Sequence, residues 1–387
     1  MSTAPATETT ADAADIATAL RNAPFVRVVA AADGDSLAAS GVLARALSDC
    51  GVPFQIRADP LSDPVPGDDN LVVACGTTGG DVALAGQSTP ASLVAADASR
   101  ALGVDPDPIV ALAGVAASGR PIDAGAASTL LDAARERTAV ERRPGVAVPT
   151  ADVADGLAHS TLVHAPLSGD PEAARDALDA VAFPDAPSTE DHRRLASWLA
   201  IEATASSARA ATAVERALRP HATPDGQFAT IEGFGDALDA AASERPGAGV
   251  ALALRGDDAT RDAVLDAWRT HARAVHSALT TATTGRYDGV FVVRTDDGHP
   301  GRLGTVARLS LAYRSPEPVV VAVAGDDAVS AAAAASADDD ALDEAMRVAV
   351  RNVDADGTSA GDTRRATARF DDEVPVSRLI TAFREAL

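Results

Sequence analysis

The sequence predicts an α/β protein: an N-terminal doubly wound parallel sheet, a helical connector, a second and smaller α/β domain, and a cleft between the two. Three observations carry this. Short apolar runs rich in β-branched residues alternate with helical segments through residues 25–115, the pattern of βαβ units. Alanine-rich helical spacing fills residues 171–219, and a second strand, turn, helix and strand follow from Val290 to Ala324.

Residues 1–20 are expected to be a disordered tail. The opening MSTAPATETTADAA is small and polar, with neither an arginine nor the apolar core of a targeting segment. Phe25, Val26, Val28 and Val29 then read as a buried strand ending in the turn Asp33-Gly34-Asp35-Ser36. Ala39, Leu43 and Leu47 recur at helical spacing after it, with Asp35 or Ser36 as the expected cap. Pro53 to Ile56 and Leu71 to Cys75 read as strands, the latter ending in the glycine-rich turn 76–80, expected to lead into a helix. Leu93 to Asp97 and Ile109 to Val115 are expected to close the strand series. The cationic, proline-terminated stretch Arg135 to Pro144 makes a boundary, so the first domain is placed at 21–145.

The connector, 146–240, sets Leu178, Leu195, Trp198, Leu199 and Ile201 on apolar helix faces. The last domain, 241–387, opens with a strand expected at Gly249 to Leu254 and a long amphipathic helix from Thr260 to Thr281. Strand Val290–Val293, turn 296–301, helix Leu303–Tyr313 and strand Val319–Ala324 follow. A helix near Leu342–Val350, a strand around Ala366–Phe370 and a terminal helix complete the chain.

Composition limits the function classes. Against 56 acidic residues stand 33 cations, a net charge of −23, and every cation is an arginine. Such a lysine-free, acidic, aromatic-poor composition resembles that of a cytosolic protein working in concentrated salt, and a cytoplasmic location is expected. At about 1 M salt the Debye length is about 3 Å, so net acidity does not exclude an anionic partner. Cys50 and Cys75 are the only cysteines, too few for a disulfide framework or a cysteine zinc site. No apolar run approaches the roughly 18 residues needed to cross a bilayer, and no membrane association is expected.

Several motifs bear on chemistry. Asp33 and Asp35, one residue apart at a strand end, have the spacing to hold one hard cation, or serve as turn and cap residues. The 76–80 turn is no Walker loop, because that loop needs a lysine. Gly357 to Gly361 fits GxSxG but lacks the strand-to-helix setting of a nucleophile elbow and reads as a loop. The seven histidines show no ligand spacing, and only His299 sits in a glycine-flanked turn between strand and helix.

Together these pieces resemble the DHH phosphoesterase superfamily, and within it the RecJ-like single-strand nucleases and their replication relatives. Asp33-Gly34-Asp35-Ser36-Leu37-Ala38-Ala39 matches the first motif, with Ser36 in place of glycine and Ala31 where a histidine often sits. His299-Pro300-Gly301-Arg302-Leu303-Gly304-Thr305-Val306-Ala307-Arg308 follows the C-terminal, DHHA1-type stretch. The resemblance spans residues 22–387. It implies a DHH-like domain, a connector and a DHHA1-like domain.

The departures fall at the metal positions. Ala74-Cys75 stands where the second motif places an aspartate, and Asp97-Ala98-Ser99 stands where the name-giving Asp-His-His would be. The fourth motif's aspartate falls near Ala116 to Ser118, and the Gly-Gly-His motif corresponds to Gly357-Thr358-Ser359. Relatives use the second, Asp-His-His and fourth motifs to hold two manganese or magnesium ions that activate water, and the Gly-Gly-His motif on the substrate side. Here Asp33, Asp35 and Asp97 remain, enough for a single weakly held Mn2+ or Mg2+ at most. The resemblance thus implies a catalytically degenerate replication or repair protein acting with GINS and the MCM helicase, or handling single-stranded DNA through His299, Arg308, Arg364 and Arg365. Two alternatives stay open. One is an active exonuclease with Asp69, Asp81 or Asp123 as replacement ligands, the other a small phosphoester or nucleotide binder. Arg142, Arg143, Arg364, Arg365 and Arg369 could contact phosphate in either case.

Overall fold

The computed structural model describes residues 12–59, 61, 64–67, 69–84, 89–137, 140–204, 208–325, 327–336, 341–353 and 355–387. Helix α1 (Ala13–Asn22) precedes β1 (Val26–Ala30), α2 (Gly34–Asp49), β2 (Phe54–Ala58), β3 (Leu71–Cys75) and β4 (Val82–Leu84). The strands form one parallel sheet in the order β2-β1-β3-β4. The expected tail is corrected in part: Ile16, Ala17 and Leu20 of α1 are buried in the first core, while residues 1–11 lie outside the described residues. The turn after β3 leads into the edge strand β4 rather than a helix.

Three expected strands are helices. Leu93 to Asp97 lies in α3 (Ala91–Ala101) and Ile109 to Val115 in α4 (Pro108–Ala117), which is followed by α5 (Ala126–Arg137). A short apolar run reads the same in a buried strand and in a helix buried on every side. Here the cap decides, because Asp107 accepts hydrogen bonds from Ile109 N and Val110 N at the start of α4.

The connector holds β5 (Glu141–Arg142), α6 (Val153–His159), α7 (Pro171–Ala180), α8 (Thr189–Thr204), α9 (Ala208–Ala217) and β6 (His221–Ala222). Helices α10 (Ile231–Glu244), α11 (Pro246–Arg255) and α12 (Asp258–Thr281) come next, and the strand expected at Gly249 to Leu254 is the third one corrected. Helix α10 runs through the boundary expected at 240. It joins the first core with Trp268 of α12, because its buried face continues the α2 packing. Gly41 of α2 sits so close to α11 that an added Cβ would lie 2.3 Å from that of Ala253.

The C-terminal part contains β7 (Thr283–Tyr287), β8 (Val290–Thr295), α13 (Pro300–Tyr313), β9 (Val319–Ala324), β10 (Asp327–Ala335), α14 (Leu342–Asn352), β11 (Gly357–Gly361), β12 (Arg365–Pro375) and α15 (Val376–Ala386). Its sheet runs β11-β12-β10-β9-β8-β7, with only the β8–β9 pair parallel. The loop expected at Gly357 to Gly361 is instead the edge strand β11. Small residues without a pattern give no strand signal, and pairing with β12 supplies the structure. Alternate residues of β8 and β9 serve two cores: Val292 and Val321 pack with α14 and α15, Val293 and Val320 with the connector. No helix among the described residues is long and apolar enough to cross a membrane.

Connector and last domain also meet through a histidine relay. Arg314 donates to His164 Nε2 at 3.2 Å, so His164 Nδ1–H donates to His276 Nδ1 at 3.2 Å and His276 Nε2–H to the Ser160 carbonyl at 3.1 Å. Burial, with Arg314 beside it, pushes His164 down to about 4, and burial followed by His164 pushes His276 down to about 3. Both lie below the ordinary 6.5, so as pH falls from there the unfolded chain takes up protons that the native state refuses. Stability therefore drops by about 1.4 kcal/mol per pH unit per group. Urea unfolding at pH 7.5 and pH 5 is expected to show this loss in the wild type and a shallower one in His276→Gln.

Candidate functional site

The Asp33-Gly34-Asp35 turn lies where β1 hands over to α2. Asp33, not Asp35 or Ser36, is the cap of α2: its carboxylate accepts from Ser36 N at 2.8 Å and Ser36 Oγ at 2.9 Å. Asp35 points the other way. Its two oxygens accept from Ala91 N at 2.7 Å and Ser92 N at 3.1 Å, the first amides of α3. That helix has no side-chain cap of its own, so the Asp35 carboxylate caps it from a distance in sequence. Gly34 N donates to Asp239 Oδ1 at 3.1 Å, and a Cβ at Gly34 would lie 2.7 Å from that of Ala117. Gly76, at φ +71, is equally necessary, since a Cβ there would meet Ser36 Oγ at 1.9 Å.

Three carboxylates thus converge at one turn. Burial, then Asp35 and Asp239, push Asp33 up to about 7. Burial also raises Asp35, against the hydrogen bonds from Ser92 and Ala91. Beneath them the Cys75 thiol is pushed up to about 12 by burial, so it is no thiolate ligand.

The turn forms one wall of a cleft of about 730 Å³ between the first domain and the C-terminal sheet. Eight arginines and eight carboxylates line it among the described residues, a balanced lining in a chain of net charge −23. Arg308 donates to the Thr161 carbonyl and to Thr161 Oγ1, both at 3.1 Å. Thr161 in turn donates through N and Oγ1 to Asp236, which also accepts from Trp268 Nε1 at 2.8 Å. Arg216 donates to the Gly119 carbonyl at 2.9 Å and Arg365 to the Ala117 carbonyl at 3.3 Å. Burial lowers Arg365, but Asp239, Asp362, Asp33 and Asp35 outweigh it and the net shift is upward.

Of the residues expected at the site, Asp33, Asp35, Arg308, Arg364 and Arg365 line this one cleft. Asp97 does not: it lies on α3, half-exposed and paired with Arg100 at 2.7 Å. A helix rather than a strand at 93–97 turns it outward. His299 is exposed at the start of α13 and also lies outside the cleft lining; its backbone N donates to Asp297. Asp81 orders its own loop by accepting from Val72 N at 2.8 Å, and Asp123 pairs with Arg142 on the cleft rim. Sequence reasoning missed Asp236 and Asp239, although two carboxylates three residues apart in the small, apolar helix Ile231–Glu244 were a signal. It also missed His221, whose Nδ1 lies 2.8 Å from Glu232 Oε1.

A two-metal centre does not fit these residues. Both Asp35 oxygens are taken by amides, the second-motif position is a buried thiol, and Asp97 faces elsewhere. Among the described residues no three His, Cys, Asp or Glu side chains gather as a metal set.

Comparison with known proteins places the chain. A family described as "Uncharacterized protein rrnAC1427, C-terminal domain" matches residues 282–385. The Haloarcula marismortui protein rrnAC1427 is 47% identical over 380 residues, 96% of each chain. Among solved structures, CDC45 from Entamoeba histolytica shares the fold at TM-score 0.61 and 9% identity, over 97% of this chain and 98% of that one. RecJ from Thermus thermophilus in complex with Mg2+ gives TM-score 0.49 at 17% identity over 98% of this chain. The chain spans about half of that RecJ, 53% of its length. The chain shares the overall architecture of that CDC45.

Proposed function

We propose, from the premise that this chain belongs to the family of the Haloarcula marismortui protein rrnAC1427, that it is a non-hydrolytic DHH-fold protein of DNA replication or repair. It serves as a scaffold acting with GINS and the MCM helicase, and handles single-stranded DNA in its arginine-lined cleft. The observation that carries the reading is the commitment of Asp35, both of whose oxygens are spent on the first amides of α3. Each oxygen keeps a second lone pair, but the two amides fix the carboxylate as the cap of α3, and among the described residues no three metal-ligating side chains gather around it. The cleft meanwhile keeps Arg216, Arg308, Arg364 and Arg365 on its walls, and guanidinium groups hold phosphate bidentately even where salt has removed most of the counterion-release gain.

The test is an exonuclease assay on 5′- and 3′-labelled single-stranded DNA with Mn2+ in concentrated KCl. No cleavage is expected from wild type or from Asp33→Ala, Asp35→Ala. Binding of the same oligonucleotide is expected to weaken about tenfold in Arg216→Ala, Arg364→Ala. Cleavage that disappears in the double aspartate variant would overturn the reading, and co-purification with GINS or MCM subunits tests the scaffold role.

A further inference from the structure

Glu232 and His221 form a pair on the cleft wall whose hydrogen bonding stops one group short. Glu232, in the first turn of α10, accepts from His221 N at 2.9 Å through Oε2, and its Oε1 lies 2.8 Å from His221 Nδ1. A carboxylate can only accept, so Nδ1 carries the proton and the neutral ring keeps its lone pair at Nε2. His221 is 2% exposed, and Nε2 is buried without a hydrogen-bond partner. Among the described residues the other buried side-chain atoms in that condition belong to Ser92, His159 and Ser310, and of these residues only His221 lines the cleft. Buried polar atoms are nearly always paired, so an acceptor that is oriented but lacks a donor marks where a donor arrives. Arg142 stands directly opposite His221 in the β5–β6 ladder, a position that sets the two side chains on one face with Cβ atoms about 5 Å apart. Its half-exposed guanidinium pairs with Asp123, and both residues line the same cleft.

We propose that His221 Nε2, oriented by Glu232, accepts the 3′-hydroxyl of a DNA strand whose adjoining phosphate is held by Arg142. Every internal nucleotide of DNA lacks a free sugar hydroxyl, so this acceptor separates a strand's end from its interior. Nε2 is sealed from solvent, and the hydroxyl reaches it as the Arg142 side chain turns from Asp123 to the phosphate. The inference rests on the reading of the cleft as a single-stranded-DNA site and names the part of the strand that this wall takes.

Anisotropy titration of the full chain in concentrated KCl tests it, with 5′-fluorescein oligothymidylate ending in either a 3′-hydroxyl or a dideoxy sugar. Thymine carries no exocyclic amine, so the sugar hydroxyl is the one donor that differs. Wild type is expected to bind the hydroxyl strand about tenfold more tightly. Folded His221→Phe is expected to bind both strands with the wild-type affinity for the dideoxy one. Equal wild-type affinities overturn the proposal, as does a preference that persists in His221→Phe. Should His221→Phe fail to fold, Arg142→Gln, on the exposed strand opposite, decides: it is expected to bring the two strands to equal affinity, and a surviving preference overturns the proposal. A dideoxy-ended oligouridylate that binds wild type as tightly as the hydroxyl strand also overturns it, since the acceptor would then read a ribose 2′-hydroxyl. Binding of neither thymidylate strand defeats the DNA-handling reading together with this inference, whereas equal binding of both defeats this inference alone.

Discussion

Asp35→Ala is expected to cost about 3 kcal/mol of folding stability, read as a lower urea midpoint at unchanged slope. The carboxylate is buried, and its oxygens are the partners of Ala91 N and Ser92 N. Removing it orphans two amides at the start of a buried helix that has no other side-chain cap. Charge-assisted bonds of this kind contribute about 1.5–3 kcal/mol each, offset by the cost of desolvating the carboxylate. Asp35→Asn keeps one acceptor and is expected to lose about half as much. A cost for Asp35→Ala below about 0.5 kcal/mol, the range of ordinary surface substitutions, would mean that the carboxylate is no cap and would reopen a ligand role.

Trp268→Ala is expected to have the largest effect, about 4 kcal/mol. The indole is fully buried at the centre of the first core, and its Nε1–H is one of the donors that hold Asp236. Asp236 in turn holds Thr161, and Thr161 accepts from Arg308. The cavity therefore loosens a chain of bonds that ends on the cleft wall. Trp268→Phe keeps much of the volume but leaves Asp236 short of a donor, at about 1–2 kcal/mol. Urea unfolding ranks the two. Single-stranded DNA binding by Trp268→Phe is expected to weaken alongside, and binding equal to wild type would show that Arg308 is positioned without this chain.

The first strand and its Asp33-Gly34-Asp35 turn were legible because an apolar run breaking into acid and glycine leaves little choice of conformation. Val319 to Ala324 was legible for the same reason, being β-branched and flanked by turns. Leu93 to Asp97 and Ile109 to Val115 were not, because near-complete burial removes the polar face by which a helix announces itself, and Gly249 to Leu254 was not, because its exposed position holds an alanine, Ala251, that marks no polar face. That error carried into the site. With Leu93 to Asp97 as a strand, Asp97 would end near the first motif, whereas the helix carries it outward to Arg100.

By itself the sequence determined the parallel sheet, the alternation of the C-terminal strands and the identity of the two carboxylates at the first turn. It also determined that no lysine serves the cleft. Only the tertiary structure decided what those carboxylates do. Asp33 bonds within its own turn, to Ser36, but Asp35 takes its partners from Ala91 and Ser92 and the Gly34 amide finds Asp239, and local pattern holds no record of such distant pairings. The same holds for Arg365, whose place beside Ala117 depends on the last domain closing over the first. Charge and hydrogen bonding act between whatever groups packing brings together, so the residue types were readable in advance and their roles were not.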